Sequence, residues 1–147
     1  MKSKRKKALS ECKVDVSLAC KTALQSLRKT VAEQMEQIPM QKGIFVGNED
    51  RTTACMAACR LLMASESRIE AFRKALAELA SGECIGQCEK WQLFYEQTVT
   101  VFLTRFEAAA DLLHDGEGCN PSLLISLCRD FCRSADLFLN HEADTGR

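Results

Sequence analysis

Apolar residues recur in steps of three and four along most of this 147-residue chain, and this spacing restricts the fold more than any other feature of the sequence. Such steps place side chains on one face of an α-helix, whereas a half-buried strand needs strict alternation. The spacing breaks near Pro39, at Gly82 and after His114, in a chain with only two prolines and seven glycines. We therefore predict four long helices, over residues of about 8–38, 51–80, 83–114 and 121–140.

Each predicted helix has an apolar stripe that we expect to face a shared core. The first stripe consists of Leu9, Cys12, Val16, Cys20, Ala23, Leu27, Val31, Met35 and Ile38, and the second of Cys55, Cys59, Leu62, Ile69, Phe72, Leu76 and Leu79. The third consists of Cys84, Cys88, Trp91, Tyr95, Thr98, Phe102, Phe106, Ala109 and Leu113, and the fourth of Leu124, Cys128, Phe131, Ala135 and Phe138. Four such helices with mostly short connections predict an all-α fold, an antiparallel up-down-up-down four-helix bundle in a single domain over residues 1–147.

Charge is distributed unevenly, although the chain has 20 basic and 20 acidic residues. Five of the basic residues lie in the segment 2–7, which we expect to be a disordered arm within residues 1–7, and the remainder is acidic. A general nucleic-acid binder needs a basic face, so that class is disfavoured. No uncharged stretch reaches the roughly 18 apolar residues that a membrane-spanning helix needs, so we expect no membrane span.

The basic segment resembles the start of a secretory signal, but Glu11, Lys13 and Asp15 interrupt the apolar run that would have to follow. We therefore expect a cytoplasmic protein. The chain has nine cysteines. In a reducing compartment, cysteine-rich segments bind metals or take part in redox chemistry more often than they form a disulfide framework.

The cysteines are spaced so that several share a helix face. Three pairs lie four residues apart, and Cys12 and Cys20 lie eight apart, which are spacings that stack side chains on one side of a helix. At a rise of about 1.5 Å per residue, helices of alternating direction bring these thiols together at the two ends of the bundle. We predict one metal site from Cys12, Cys20, Cys84 and Cys88, and a second from Cys55, Cys59, Cys128 and Cys132.

The choice of metal follows from the ligands. Thiolates select soft ions, of which Cu(I) fits pairs of sulfurs placed along a helix axis. Structural zinc sites often draw on a short C-x-x-C turn, which the chain lacks, although zinc held by the four thiols of one end is the alternative. Iron–sulfur chemistry is less favoured, since no recognised ligand run is present.

A family resemblance rests on the helical pairs Cys55-Met56-Ala57-Ala58-Cys59, Cys84-Ile85-Gly86-Gln87-Cys88 and Cys128-Arg129-Asp130-Phe131-Cys132. Over residues 8–140 the chain resembles the cytosolic four-helix-bundle copper-storage proteins, which hold Cu(I) on cysteines that point into the bundle. The resemblance implies storage or buffering of Cu(I) by core-facing thiolates. That family is usually richer in cysteine, so two small terminal sites, or a relative that no longer binds metal, are expected here and not a continuous copper-filled tube.

Two other functions are open at this point. The first is a helical protein-interaction module, such as an adaptor, a secretion chaperone or a regulatory subunit, in which the cysteines are ordinary core residues. The second is a thiol redox sensor in which disulfides across the bundle ends hold or release helices. A protein partner or self-association fits either of them. No nucleophile elbow, phosphate loop or paired histidine motif is present, so we do not expect an enzyme.

Overall fold

Four long helices make up the structure, a computed structural model that describes residues 2–39, 48–82, 85–115 and 121–145. Helix α1 is Lys2–Met35 and helix α2 is Asn48–Ser81. Helix α3 consists of Ile85–Phe94, a π-helical turn at Tyr95–Val99 and Thr100–Asp115, and helix α4 is Pro121–Thr145. The residues described contain no strand, so the predicted all-α class is confirmed.

Residues typical of helix ends lie at the end of α2 and at the start of α4. At the end of α2 the Ser81 hydroxyl donates a hydrogen bond of 2.8 Å to the Glu78 carbonyl, and the Gly82 amide donates one of 3.3 Å to the Leu79 carbonyl. These bonds satisfy carbonyl groups that the helix leaves without partners. Helix α4 begins at Pro121, whose fixed φ suits the first helical position.

The first and last helices are longer than the sequence pattern predicts. Helix α1 begins at Lys2, so it includes residues 2–7, for which the sequence pattern predicts a disordered arm. Lysine and arginine are good helix formers, and no glycine or proline separates them from the helix that follows. Helix α4 continues to Thr145, beyond the predicted end near residue 140.

A π-helical turn interrupts α3 within a run of β-branched residues. The Thr100 amide donates to the Tyr95 carbonyl, a bond that spans five residues where an α-helix spans four. The extra residue rotates the stripe that follows it. Val99 is therefore fully buried, whereas Thr98, the residue predicted for the core, is only partly buried.

The first half of α2 buries a different face from the predicted one. Its buried residues are Ala54, Ala57, Ala58, Leu61 and Ser65. These residues also follow steps of three and four, but their stripe is displaced by one residue from the stripe of cysteines and Leu62. One residue corresponds to about 100° around a helix, so the displacement turns the predicted face toward the edge of the core.

Aromatic side chains connect α2, α3 and α4 in the core. The Phe72 ring lies 5.5 Å from Tyr95 and 5.9 Å from Trp91, measured between ring centroids. Phe138 of α4 lies 4.4 Å from Phe94 and 4.7 Å from Trp91. Aromatic pairs at such separations add to the stabilisation that burial alone provides, so this cluster joins three of the helices.

Polar contacts join α1 to α4. The Arg28 guanidinium donates two hydrogen bonds of 3.1 Å to the two carboxylate oxygens of Asp136. Helix α1 packs against α2 and α4, and α3 packs against the same two helices. Among the described residues, no helix has the length and apolar character needed to cross a bilayer.

Substitution of Phe131 tests whether α4 packs into the core as described. Its ring is almost fully buried and lies 4.7 Å from the Phe102 ring. We expect Phe131→Ala to lower the free energy of unfolding by about 3–5 kcal/mol, because it removes buried apolar surface and leaves a cavity. Equilibrium denaturation followed by circular dichroism measures the change.

The matched control for this experiment is Leu137→Ala on the same helix, because the Leu137 side chain is 64% exposed. This change should alter the free energy of unfolding by no more than about 0.5 kcal/mol. Equal effects of the two substitutions would contradict the packing of α4 described above.

Candidate metal site and the cysteine thiols

The structure describes the side chains of some cysteines and not of others. Six have described side chains and are free thiols: Cys20, Cys55, Cys59, Cys88, Cys128 and Cys132. Cys12 lies in α1, before the residues whose side chains are described, and Cys84 and Cys119 lie outside the described residues. Only two members of the first predicted metal site are therefore placed, whereas all four members of the second are.

Cys20 of α1 interacts electrostatically with Cys88 of α3. Cys20 is fully buried and Cys88 is partly buried. Burial, and to a smaller extent electrostatic interaction with Cys88 and Glu78, raises the pKa of Cys20 to about 12. Two of the four thiols predicted for this end thus interact electrostatically, although they lie on two different helices.

Cys128 and Cys132 lie in the core on α4. Burial raises the pKa of Cys128 to about 12, with a smaller contribution from the neighbouring Cys132. The Cys132 sulfur donates a hydrogen bond of 3.8 Å to the backbone carbonyl of Arg28 in α1. Both side chains therefore behave as small buried residues in their protonated form.

Cys55 and Cys59 lie at the surface of α2. Cys55 is partly buried and Cys59 is exposed. Both line an open pocket of about 560 Å³, and the other lining residues are Arg51, Thr52, Met56, Arg60, Met63 and His114. The pocket thus combines two thiols, two thioethers and an imidazole, all of them ligands for soft or borderline metals.

The second predicted site is not assembled. Among the side chains that the structure describes, no three or more histidine, cysteine, aspartate or glutamate residues gather to hold a metal ion. The cause is the rotation of α2, because burial of the alanine stripe turns Cys55 and Cys59 outward. Cys128 and Cys132 remain in the core, so the structure does not gather these four thiols, and their binding of one shared ion stays a prediction.

The spacing of Cys55 and Cys59 decides what the pair can form. Residues four apart on a helix have Cβ atoms about 5–6 Å apart. A disulfide requires a Cβ separation of about 3.5–4.5 Å, so the two thiols cannot be joined without distortion of the helix. A metal–thiolate bond is about 2.3 Å long, so a single ion between the two sulfurs spans the distance without that distortion.

The electrostatic environment of this pair is mixed. Burial and the nearby Cys59 raise the pKa of Cys55, and the positive charge of Arg51 opposes the increase. Sequence reasoning missed Arg51 and Arg60 as residues of the site. The available signal was the position of Arg51, which precedes Cys55 by four residues and so shares its helix face. Arg60 follows Cys59 directly, and that spacing gives no such signal.

Reactivity with a thiol reagent tests these placements. In the native protein we expect Cys59 to be alkylated first and Cys128 to react only after unfolding, since the thiolate is the reactive form and access is required. Peptide mapping by mass spectrometry after a timed exposure to iodoacetamide measures the order. Similar rates for Cys59 and Cys128 would contradict the structure.

Stability at alkaline pH provides a second test. The ordinary thiol pKa is 9.0, and burial raises that of Cys128 to about 12 in the folded protein. A raised folded-state pKa means that the stabilisation is complete below pH 9 and is lost as the pH rises toward 12, because only the unfolded chain ionises easily in that range. Cys128→Ala should therefore reduce the fall in the free energy of unfolding between pH 8 and 10.5, as measured by chemical denaturation. An unchanged slope would show that this thiol ionises freely in the folded protein.

Comparison with known proteins assigns no family to the chain. No family model matches the chain, and no curated protein or solved structure is significantly similar to it.

Proposed function

We propose that this protein binds Cu(I) through the thiolates of Cys55 and Cys59 and buffers the ion without enzymatic activity. The observation that carries the proposal is the pocket on α2, where both thiols lie beside Met56 and Met63. Sulfur ligands of this kind select Cu(I) over harder divalent ions. Zinc is the less suitable occupant, because it requires four ligands in a closed structural site.

Charge supports Cu(I) in this position. Two thiolates and one Cu(I) ion form a complex with a net charge of −1, and Arg51 and Arg60 line the same pocket. Positive groups near a thiol favour its ionised form. The pocket therefore compensates a charge that the core around Cys128 would disfavour.

The proposed bundle has the antiparallel up-down-up-down arrangement. Phe94 of α3 contacts Phe138 of α4, whereas Phe102, further along α3, contacts Phe131, which lies earlier in α4. This reversed order supports opposite directions for the two helices. Short connections favour the same relation for the other neighbours.

Cys20 and Cys88 offer a second place for Cu(I), together with Cys12 and Cys84. The electrostatic proximity of the first two thiols supports this site, and the participation of the other two stays a prediction from their spacing. The proposed compartment is the reducing cytoplasm, where thiols stay available for a metal.

A protein-interaction module is the second candidate. Met56 is 50% exposed and Met63 is 73% exposed, and they lie seven residues apart on one face of α2. Exposed methionines at helical spacing suit the apolar face of a partner helix. In that case the thiols have no metal to bind, which the experiment below distinguishes.

Anaerobic competition with a chromophoric Cu(I) chelator tests the metal site. We expect the reduced protein to withdraw Cu(I) from the chelator, and Cys55→Ser together with Cys59→Ser to weaken the binding of this ion by more than about 100-fold, because both ligands are lost. The matched control is Cys128→Ala together with Cys132→Ala, which removes two buried thiols and should leave this ion bound.

Two results would reject the proposal in different ways. If the wild-type protein withdraws no Cu(I), the copper function is wrong and the interaction module is favoured. If the serine variant retains all of the bound copper, the ion is held elsewhere, and loss of copper from the alanine control would identify the core thiols as its ligands.

A further inference from the structure

The first half of α2 has a second stripe of side chains besides the one that it buries in the core. The α2 residues that line the pocket are Arg51, Thr52, Cys55, Met56, Cys59, Arg60 and Met63. Because they follow one another in steps of one and three, they lie within about half of the helix circumference, over about 18 Å of its length. The buried residues Ala54, Ala58 and Leu61 lie on the other side of the helix.

The two thiols on this stripe are an incomplete set of ligands for zinc. A structural zinc site uses four ligands in a tetrahedron. His114 also lines the pocket, but within the part of the chain whose side chains are described it does not join Cys55 and Cys59 in a group of three. Cys128 and Cys132 lie in the core. The described residues of one chain therefore supply half of the ligands that zinc needs at this place.

Two-fold symmetry doubles such a set of ligands. Most homo-oligomers are closed dimers in which both copies present the same surface to each other, so two copies that meet at this stripe bring four sulfurs together. In a tetrahedral site with Zn–S bonds of about 2.3 Å, neighbouring sulfurs are about 3.8 Å apart. The Cβ atoms of residues four apart on a helix are about 5–6 Å apart, so sulfurs that turn toward each other reach this separation.

We propose that a Zn²⁺ ion bridges two copies of this chain and is held by Cys55 and Cys59 of each copy. The inference goes beyond the proposed Cu(I) function and does not depend on it, because it concerns a different ion and a second copy of the chain. Met56 and Met63 are 50% and 73% exposed on the same stripe. In the bridged dimer these side chains contact the partner copy around the ion.

The ion is needed to hold the two copies together at this stripe. A stable interface buries about 1,200–2,000 Å² in total. Two helix faces about 18 Å long and about 10 Å wide supply only a fraction of that area. We therefore expect the two copies to separate at this stripe when zinc is removed and to join when zinc is supplied.

Formation of the bridge is a ligand exchange without oxidation or reduction. Four thiols release their protons to the solvent, four Zn–S bonds form, and the water molecules bound to the ion leave. The ion remains Zn²⁺, and the four-thiolate centre has a charge of −2. Because protons are released, the zinc-dependent dimer should weaken as the pH falls.

Sedimentation velocity of the reduced protein under anaerobic conditions, with and without added Zn²⁺, tests the bridge. We expect a monomer in the absence of the ion and a dimer in its presence, with one zinc ion for every two chains by metal analysis of the dimer. Co²⁺ used in place of zinc should give the visible and charge-transfer absorption of a tetrahedral thiolate site.

Cys59→Ser should abolish the zinc-dependent dimer, because it removes two of the four sulfurs. The matched control is Cys88→Ser, which makes the same change on a partly buried thiol of α3 outside the pocket and should leave the dimer intact. Circular dichroism verifies that both variants are folded.

Charge placed on the stripe provides a second test that leaves all the ligands in place. Met63→Glu should weaken the zinc-dependent dimer by at least about tenfold, because the dimer would bury the new charge against the partner copy. Leu137→Glu makes a comparable change on α4, where the side chain is 64% exposed, and should have little effect. Equal effects of the two substitutions would contradict contact through this stripe.

The remaining outcomes separate this inference from the copper function. A monomer that binds one zinc ion per chain would overturn the bridge, and loss of that ion in Cys119→Ser would identify a ligand from the same chain. A zinc-dependent dimer that persists in Cys59→Ser would also overturn it. Failure to bind zinc, in a protein that still withdraws Cu(I) from the chelator, would overturn the bridge and leave the copper function standing. A zinc dimer in a protein that withdraws no Cu(I) would support the bridge and reject the copper function.

Discussion

The face of α2 that the core buries determines where the soft ligands of this protein lie. A helix can bury one stripe of side chains, and in the first half of α2 that stripe contains Ala54, Ala58 and Leu61. Small residues allow neighbouring helix backbones to approach closely, so the alanines compete successfully with the larger residues beside them. As a consequence the adjacent stripe, with Cys55 and Cys59, lies at the edge of the core and opens to solvent.

The same chain holds thiols in two electrostatic environments. In the core, burial raises the pKa of Cys20 and of Cys128 to about 12, so an ion that binds there must first displace protons from thiols that resist ionisation. At the surface of α2, burial and the nearby Cys59 also raise the pKa of Cys55, but the positive charge of Arg51 opposes the increase. The ease with which a metal ion replaces the thiol proton therefore differs between the two environments, even though both contain cysteine.

Periodicity was sufficient to predict the long helices and much of the core. The predicted stripes of α1 and α4 are correct at Leu27, Phe131 and Ala135, which are all buried in the core. Periodicity could not predict two features of the structure. On α2 the cysteine and alanine stripes have the same spacing, and only packing against the other helices decides between them. On α3 the π-helical turn adds one residue to the helix. As a result Val99 occupies the core position that the spacing predicts for Thr98.

The sequence predicted which thiols of α2 form the candidate site, but not which other residues lie beside them. Spacing correctly marked Cys55 and Cys59 as two thiols on one helix face, but the proposed grouping with Cys128 and Cys132 required all four to face inward. The resemblance to copper-storage bundles depends on the same assumption of inward-facing cysteines. Because the alanine stripe takes the inward position on α2, the pair retains the spacing that fits an ion while gaining access to solvent. A dithiol placed in this way suits the binding of one ion better than the retention of many, which is why we propose a buffer of Cu(I) and not a store.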